Sequence, residues 1–391
     1  VNRKLYTLIA VLLTLSILLT ACGQKEVEVT REVEVTREVP VSGEAMEVTR
    51  EVEVTREVEV TREVMPEEAP APTGESRLDI VKNRGRLVCG GRTDLLGFGY
   101  LDAEGNNVGF DIDLCRALAT AIFNDPNAVE FVPLTAAERG PALQTAEVDI
   151  LARNATWTST RDAQWGNFTI IMFYDGQGMM VRRDLGAETL EDLDGATVCV
   201  TTGTTTELNL ADNFRQRGLD YTAVTFEDTA TVYSTYEDGR CDAATSDKSQ
   251  LAAVRAGFAN PDDHVILDVT MSKEPLTPAV PAGDDQWFDL VKTVMYVLIN
   301  AEELGVTSAN VDDMMTSDNV TVRRLLGVEG EFGQADLGLS ADFAANVIRA
   351  VGNYGEIYDR YMGPEGDAFN LDRGLNRLWT DGGLIYAPPL R

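Results

Sequence analysis

From residue 86 onward, short apolar runs alternate with stretches whose apolar residues recur every three or four positions. Residues 86–90, 129–133 and 148–152 read as buried strands, because each apolar run is brief and bounded by polar or turn residues. Residues 77–83 form a short helical lead. Between the first two strands, Ile112, Cys115, Leu118, Ala119 and Ile122 share one face of a helix that opens at residues 109–113. Asp111 and Asp113 stand at its start, where the helix dipole favours negative charge. Thr135 and Glu138 have the spacing of a capping box ahead of another helix. Strand, helix, strand, helix, strand predicts a parallel α/β lobe.

A second stretch repeats that grammar. Residues 196–200 predict a buried strand, and Gly203 permits a tight turn after it. Thr204 and Glu207 then give a capping-box spacing before a helix over 208–214. A strand at 224–226, a helix over 229–237, and a turn and strand over 239–245 follow. That last strand ends on Ser246, Asp247, Lys248 and Ser249. Farther on, Phe288, Val291, Val294, Met295, Leu298 and Ile299 place a helical stripe in the core. Val347, Ala350, Val351 and Tyr354 do the same later, and Trp379, Tyr386 and Pro388–Pro389 suggest a tail tied down against the body.

The first 75 residues have a different character. Arg3 and Lys4 precede an apolar run over 5–20, too short to span a bilayer comfortably, which closes on Ala21-Cys22-Gly23. This resembles a bacterial lipobox, and the resemblance implies cleavage before Cys22 and lipid attachment there; an ordinary signal peptide with a chance cysteine is the alternative. A Glu-Val-Glu-Val-Thr-Arg hexad then repeats to residue 64, broken near 40–46. Its alternation suits an edge strand, but the repeat has nothing with which to close a core, so 23–75 is expected to be a disordered, solvated tether. The formal charge of −31 argues against nucleic acid and anionic lipid surfaces as partners.

The candidate chemistry sits at strand ends. After Ile150, Leu151 and Ala152 come Asn154, Thr156, Thr158, Ser159, Thr160 and then Arg161. Ligands of open α/β sheets bind beyond the carboxyl ends of strands, and an arginine fork grips a carboxylate. The alternative is a hydroxyl-rich helix cap with Arg161 paired to an acidic neighbour. In the second stretch, the turn after Gly203 reads as an anion site at a helix N-terminus, and Asp247 closes a strand. A cation for a carboxylate and an anion for an ammonium is the pairing an α-amino acid needs.

From residue 86 to residue 391 the chain resembles the periplasmic solute-binding proteins of amino-acid ABC importers. The resemblance rests on the residues from Gly109 to Asp113, on Val148-Asp149-Ile150, and on Thr158 with Arg161. Gly203-Thr204-Thr205 and Cys241-Asp242-Ala243 leading to Asp247 complete it. Runs over 174–178, 203–212, 283–289, 300–306, 351–357 and 378–389 resemble the general, broad-specificity L-amino-acid-binding branch. The resemblance implies a two-lobed α/β fold with two connecting strands (type II) and a ligand cleft between lobes. It implies lobe 1 over 76–174, lobe 2 over 175–274, and a return to lobe 1 with a helical extension over 275–391, crossing near Tyr174 and Glu274. Arg161 is then expected on the ligand α-carboxylate with Thr205 and Thr206, Asp247 on the α-ammonium, Asn154 and Thr156 as acceptors, and Phe98 against the ligand side chain. Two departures stand out. Arg92 replaces the usual small polar residue and either adds a cation to the pocket or points outward, and Gly140–Pro141 interrupts a helix.

Besides Cys22 there are four cysteines, and an even count in an exported protein supports disulfides. Of the three pairings, Cys89–Cys115 with Cys199–Cys241 leaves the lobes free to hinge; buried free thiols are the alternative. One histidine, His264, and no Cys/His cluster argue against a metal, and no cofactor motif is present. The expectation is an exported, lipid-anchored monomer at the outer face of the cell membrane or in the periplasm. It would capture L-amino acids and deliver them to a permease. The competing readings are an arogenate or prephenate dehydratase on the same fold, which needs a general acid in the cleft, and a ligand-binding partner of a sensory receptor.

Overall fold

The computed structural model describes residues 74–364 and 369–391. The expected signal segment, Cys22 and the hexad repeat lie outside the described residues. The chain enters through α1 (Arg77–Arg84), capped by Ser76, and β1 (Leu87–Gly91). A small antiparallel sheet follows, from β2 (Asp94–Leu95), β3 (Gly99–Leu101) and β4 (Asn107–Val108). Then come α2 (Phe110–Phe123), β5 (Val129–Pro133), α3 (Arg139–Gln144), β6 (Ile150–Leu151), α4 (Ser159–Gln164) and β7 (Asn167–Phe168). β1 pairs in parallel with both β5 and β6. The segment between β1 and the long helix α2 is thus a small sheet of its own.

β8 (Phe173–Asp175) leads into the second lobe: β9 (Gln177–Arg182), β10 (Ala196–Thr201), α5 (Thr205–Arg217), β11 (Tyr221–Phe226), α6 (Thr229–Glu237), β12 (Ala243–Asp247), α7 (Lys248–Gly257) and β13 (His264–Ile266). Its sheet has the order β11-β10-β12-β9-β13, with β10 parallel to β11 and β12. The chain returns through β14 (Glu274–Leu276), antiparallel to β8, with Glu274 opposite Asp175. β15 (Ala279–Val280) then joins the first sheet, completing the order β5-β1-β6-β15-β7. β8 and β14 are therefore the two crossings between lobes, and the fold is a two-lobed α/β one with a pair of connecting strands.

The remainder packs on the first lobe. α8 (Asp285–Glu303) is capped by Asp284 and buries Leu290, Val291, Val294, Met295, Leu298 and Ile299. The indole of Trp287 donates to the Asp149 carbonyl at 2.9 Å, fixing α8 to the start of β6. Asp149 itself is structural: its carboxylate accepts from the Val88 N–H and faces Arg84 and Arg77. Short helices α9 (Val311–Met314) and α10 (Val320–Leu325) precede α11 (Phe343–Val351) and α12 (Tyr354–Tyr361). The tail is held by Leu378, Ile385 and Leu390, all buried. Trp379 and Tyr386, the residues expected to anchor it, are 49% and 61% exposed and pack edge-to-face on each other.

Both within-lobe disulfides form, Cys89–Cys115 between β1 and α2 and Cys199–Cys241 between β10 and the turn before β12. No described helix is long and apolar enough to cross a membrane. His264 begins β13, buried, with its Nδ1 2.9 Å from the Tyr236 hydroxyl.

Candidate functional site

A small cavity lies between the lobes. Lobe 1 contributes Arg92, Ala136, Arg139, Arg153, Asn154 and Thr156, the residues that follow β1, precede or open α3, and follow β6. Lobe 2 contributes the ends of β10 and β12 and the starts of α5 and α6, including Thr204, Thr205, Thr206, Thr229, Ser246 and Asp247. Both sheets thus present their strand ends to one space, as open α/β sheets do. A second hollow shares Arg92, Arg153 and Thr229 and continues toward Asp94, Thr135 and Asp228.

The start of α5 presents backbone N–H groups and threonine hydroxyls to the cavity. Gly203 has φ +74°, a conformation that costs a residue with a Cβ but not glycine. Thr204 caps the helix by accepting from the Glu207 N–H at 3.1 Å, while Glu207 reaches back to the Gly203 N–H at 2.8 Å. The helix begins at Thr205, three residues before the predicted start, and runs 13 residues. Its first-turn N–H groups at Thr205 and Thr206 have no partner within the helix and point their dipole at the cavity.

Asp247 ends β12 and is buried. Among the described residues, no hydrogen bond reaches its carboxylate. Burial, and then the neighbouring carboxylates of Asp175 and Glu274, push its pKa well above the ordinary value, against the pull of Arg139 and Arg161. An acceptor left bare at the wall of a cavity is placed for a donor from outside the protein.

Arg161 is not among the residues lining the cavity and lies beside Thr156. Thr158 caps α4 by accepting from the Arg161 N–H, and the guanidinium Nη1 donates to the Thr156 carbonyl at 3.1 Å. Its guanidinium carbon sits 4.6 Å from the Trp165 ring centroid. Burial lowers its pKa, opposed by Glu274 and Asp247. Asn154 lies in the left-handed region at φ +35°, which asparagine tolerates better than most residues. Its N–H donates to Asp111 at 2.7 Å, and its side-chain oxygen accepts from Arg92.

Of the expected site residues, Asp247, Thr205, Thr206, Thr156 and Asn154 line one cavity, with Arg161 adjacent. Phe98 does not join them. It is fully buried in the lobe 1 core, with ring centroids 5.2 Å from Phe173 and 6.4 Å from Phe110. The antiparallel turn of β2 on β3 directs it inward, so it is a core residue and not a wall of the cleft. The ambiguity over Arg92 is settled toward the cavity: it is 3% exposed, donates to Asn154 and Gln250 at 3.1 Å, and pairs with Asp94 at 2.7 Å.

Four further groups were not read from the sequence. Arg139 and Arg153 line the lobe 1 wall, and Gln250 faces them from lobe 2. Arg153 donates to the Leu134 carbonyl at 2.6 Å, and burial, then the charge of Arg92, lowers its pKa to about 9. Glu274, on the crossing strand β14, collects hydroxyl donors from Thr156 at 2.5 Å and Thr205 at 2.9 Å, and the Asn209 amide at 2.9 Å. The only sequence signal for Arg139 was the glycine and proline that follow it. A Cβ on Gly140 would lie 2.6 Å from the Trp165 indole, so glycine is what lets that ring pack here.

Residues 87–364 match the family described as bacterial extracellular solute-binding proteins, family 3. The chain belongs to that family. Among its family 3 relatives, the general L-amino acid-binding periplasmic protein AapJ of Rhizobium johnstonii is 51% identical over 316 residues, 80% of this chain and 92% of the relative. The glutamate/glutamine/aspartate/asparagine-binding protein BztA of Rhodobacter capsulatus is 48% identical over 318 residues, 81% of this chain and 94% of the relative. A solved structure described as an ABC transporter/periplasmic binding protein from Brucella ovis with glutathione bound superposes with a TM-score of 0.78 at 48% identity, covering 81% of this chain and all of that one. The relatives are binding proteins by name, and this family 3 chain has the two lobes and interlobe cavity of their fold.

Proposed function

We propose that this protein is the substrate-binding component of an ABC importer, capturing L-amino acids between its lobes and handing them to a membrane permease. The observation that carries the reading is Asp247, a buried carboxylate with no hydrogen bond among the described residues, beside a threonine-rich helix N-terminus in the same cavity. In this reading Asp247 takes the α-ammonium. Arg161, Thr205 and Thr206 take the α-carboxylate, and Asn154 and Thr156 supply acceptors. Each lobe holds part of the zwitterion, so ligand favours the closed state through contacts an open state lacks. The lobes exchange at 174/175 and 274/275, and the chain acts as a monomer, exported and anchored by lipid on Cys22. The mass of the mature N-terminal peptide tests the anchor. The cleft binds and does no chemistry, consistent with relatives named as binding proteins.

The test is thermal melting of the full-length protein, freed of bound ligand, against each common L-amino acid, glutathione, prephenate and arogenate. A ligand at a hundredfold its Kd adds about 2.7 kcal/mol to the folded state. Several amino acids should raise the melting temperature, and Asp247→Asn and Arg161→Ala should abolish the shift. Asp247→Asn should also melt higher than wild type without ligand, because it removes a charge that burial disfavours. If no amino acid shifts the wild type, or if prephenate or arogenate is consumed, the reading fails.

A further inference from the structure

Resting on the lobe closure of that reading, we propose that Asn376, in the C-terminal tail, is a positioning residue of the hinge. It clamps the crossing strand β8 to lobe 1, so that closure turns about the linkage from Tyr174 to Asp175. β8 belongs to a two-stranded sheet with β14, and its other edge has no strand beside it among the described residues. The backbone groups of such an edge need partners from elsewhere. Tyr174 stands opposite Pro275 in the ladder, and both of its backbone groups meet one side chain. Its N–H donates to the Asn376 side-chain oxygen at 2.6 Å, and its carbonyl accepts from the same amide at 3.1 Å. One asparagine side chain stands in for a strand.

The clamp is itself held by lobe 1. Asn376 is buried and ends a short turn, Gly374–Asn376. Its carbonyl accepts from Nε of Arg373 at 3.1 Å and from Nη2 at 2.9 Å, and Arg373 pairs with both carboxylate oxygens of Glu302 in α8. The Arg373 guanidinium also packs on the rings of Tyr354 and Tyr358 in α12. Those two tyrosines grip the residues just before Tyr174. Tyr354 donates to the Met172 carbonyl at 2.9 Å, and the Tyr358 ring stacks on Phe173.

The very next residue is tied to lobe 2: the Asp175 carboxylate accepts from the N–H and the hydroxyl of Ser249 in α7. The partner strand changes sides at the matching rung. Glu274, opposite Asp175, accepts from Thr205 and Asn209 of α5 as well as from Thr156, whereas the Pro275 carbonyl accepts from the Trp157 N–H of lobe 1 at 2.9 Å. Hinges are a few residues at element ends that absorb the change in backbone angles. A strand gripped up to Tyr174 bends at the bond that follows. Released there, it spreads the rotation over more bonds, the open ensemble gains entropy, and the binding-competent closed fraction falls.

The test compares the ligand-free, full-length wild type with Asn376→Ala and with Arg377→Gln, which cuts an exposed ion pair to Asp372 in the same tail and spares the clamp. Hydrogen-exchange mass spectrometry over residues 172–176 reads the clamp, small-angle scattering reads opening, and calorimetry with L-glutamate and L-alanine reads affinity. In Asn376→Ala, exchange over 172–176 should quicken about two- to tenfold, the net worth of one hydrogen bond, with β1 unchanged. The radius of gyration should rise, and both dissociation constants should rise by a common factor of about two to ten. Arg377→Gln should match the wild type throughout. Should the alanine variant loosen β1 as well, Asn376→Asp, which keeps the acceptor and loses the donor, is read in its place. Unchanged exchange over 172–176 overturns the clamp. Quicker exchange with an unchanged radius of gyration and unchanged affinities reduces Asn376 to a local tie and overturns its role in closure, as do unequal losses for the two ligands. If the wild type binds neither amino acid, the amino-acid reading falls, and exchange and scattering alone decide the clamp.

Discussion

At the scale of single residues, the cleft is set by charges that folding holds under tension. Asp111, at the start of α2, is fully buried, and its carboxylate accepts the Asn154 N–H. Burial pushes its pKa up from 3.8 to about 7, against that hydrogen bond and the charges of Arg92 and Arg153. A folded pKa above the unfolded one means stability fully present below about pH 3.8 and lost as pH rises through about 7. Asp111→Asn keeps an acceptor for Asn154 and loses the titration. Its melting temperature should therefore fall less between pH 4 and pH 7.5 than that of the wild type; parallel slopes would assign the pH dependence elsewhere. Asp94 behaves oppositely. Burial raises it, but Arg92 more than offsets this, so the Arg92–Asp94 pair stays charged and keeps Arg92 in place.

Among the elements, the crossing strand β14 matters most. Glu274 is the point at which hydroxyls from both lobes converge, Thr156 from the end of β6 and Thr205 from the start of α5, with Ser272 and Asn209 filling the other oxygen. Through one carboxylate the start of α5 is tied to the end of β6, and these contacts are expected to favour the closed arrangement whether or not ligand is present. Glu274→Gln leaves one acceptor oxygen and sets an amide against the donors. It should cost about 1–3 kcal/mol of closure, the range for hydrogen bonds to a charged group. Affinity for every amino acid should then fall by a common factor, since the binding-competent fraction falls. Small-angle scattering should show a larger ligand-free radius of gyration. Unequal losses across ligands would instead make Glu274 a specificity residue.

For the whole molecule, covalent and hinge constraints are kept apart. Cys89–Cys115 closes 26 residues within lobe 1 and Cys199–Cys241 closes 42 within lobe 2, and neither spans β8 or β14. Loop-closure entropy puts each bridge at about 3–4 kcal/mol of stability. Replacing all four cysteines by alanine should lower the melting temperature markedly yet leave affinities at a permissive temperature nearly unchanged. A selective loss of binding would show that a bridge shapes the cleft.

Local sequence determined the order of strands and helices, because periodicity and caps are written in neighbouring residues: the Gly203 turn, the Thr204–Glu207 cap, the apolar stripe of α8. It also determined which residue types stand at strand ends, and so most of the residues that line the cavity, Asp247 and the threonines among them. Phe98 was beyond its reach, because an aromatic residue after a strand suits a cleft or a core equally. Only the fold of β2 on β3, packed on Phe110 and Phe173, decided for the core. Arg139 and Arg92 were decided the same way, since the packing of α3 and of the segment between β1 and β2 selects which side chains meet the cavity. Glu274 depends on partners 118 and 69 residues distant, and no local pattern encodes their meeting. Spacing along the chain specifies what each element is; which charges face one another is fixed only when two sheets close on a common space.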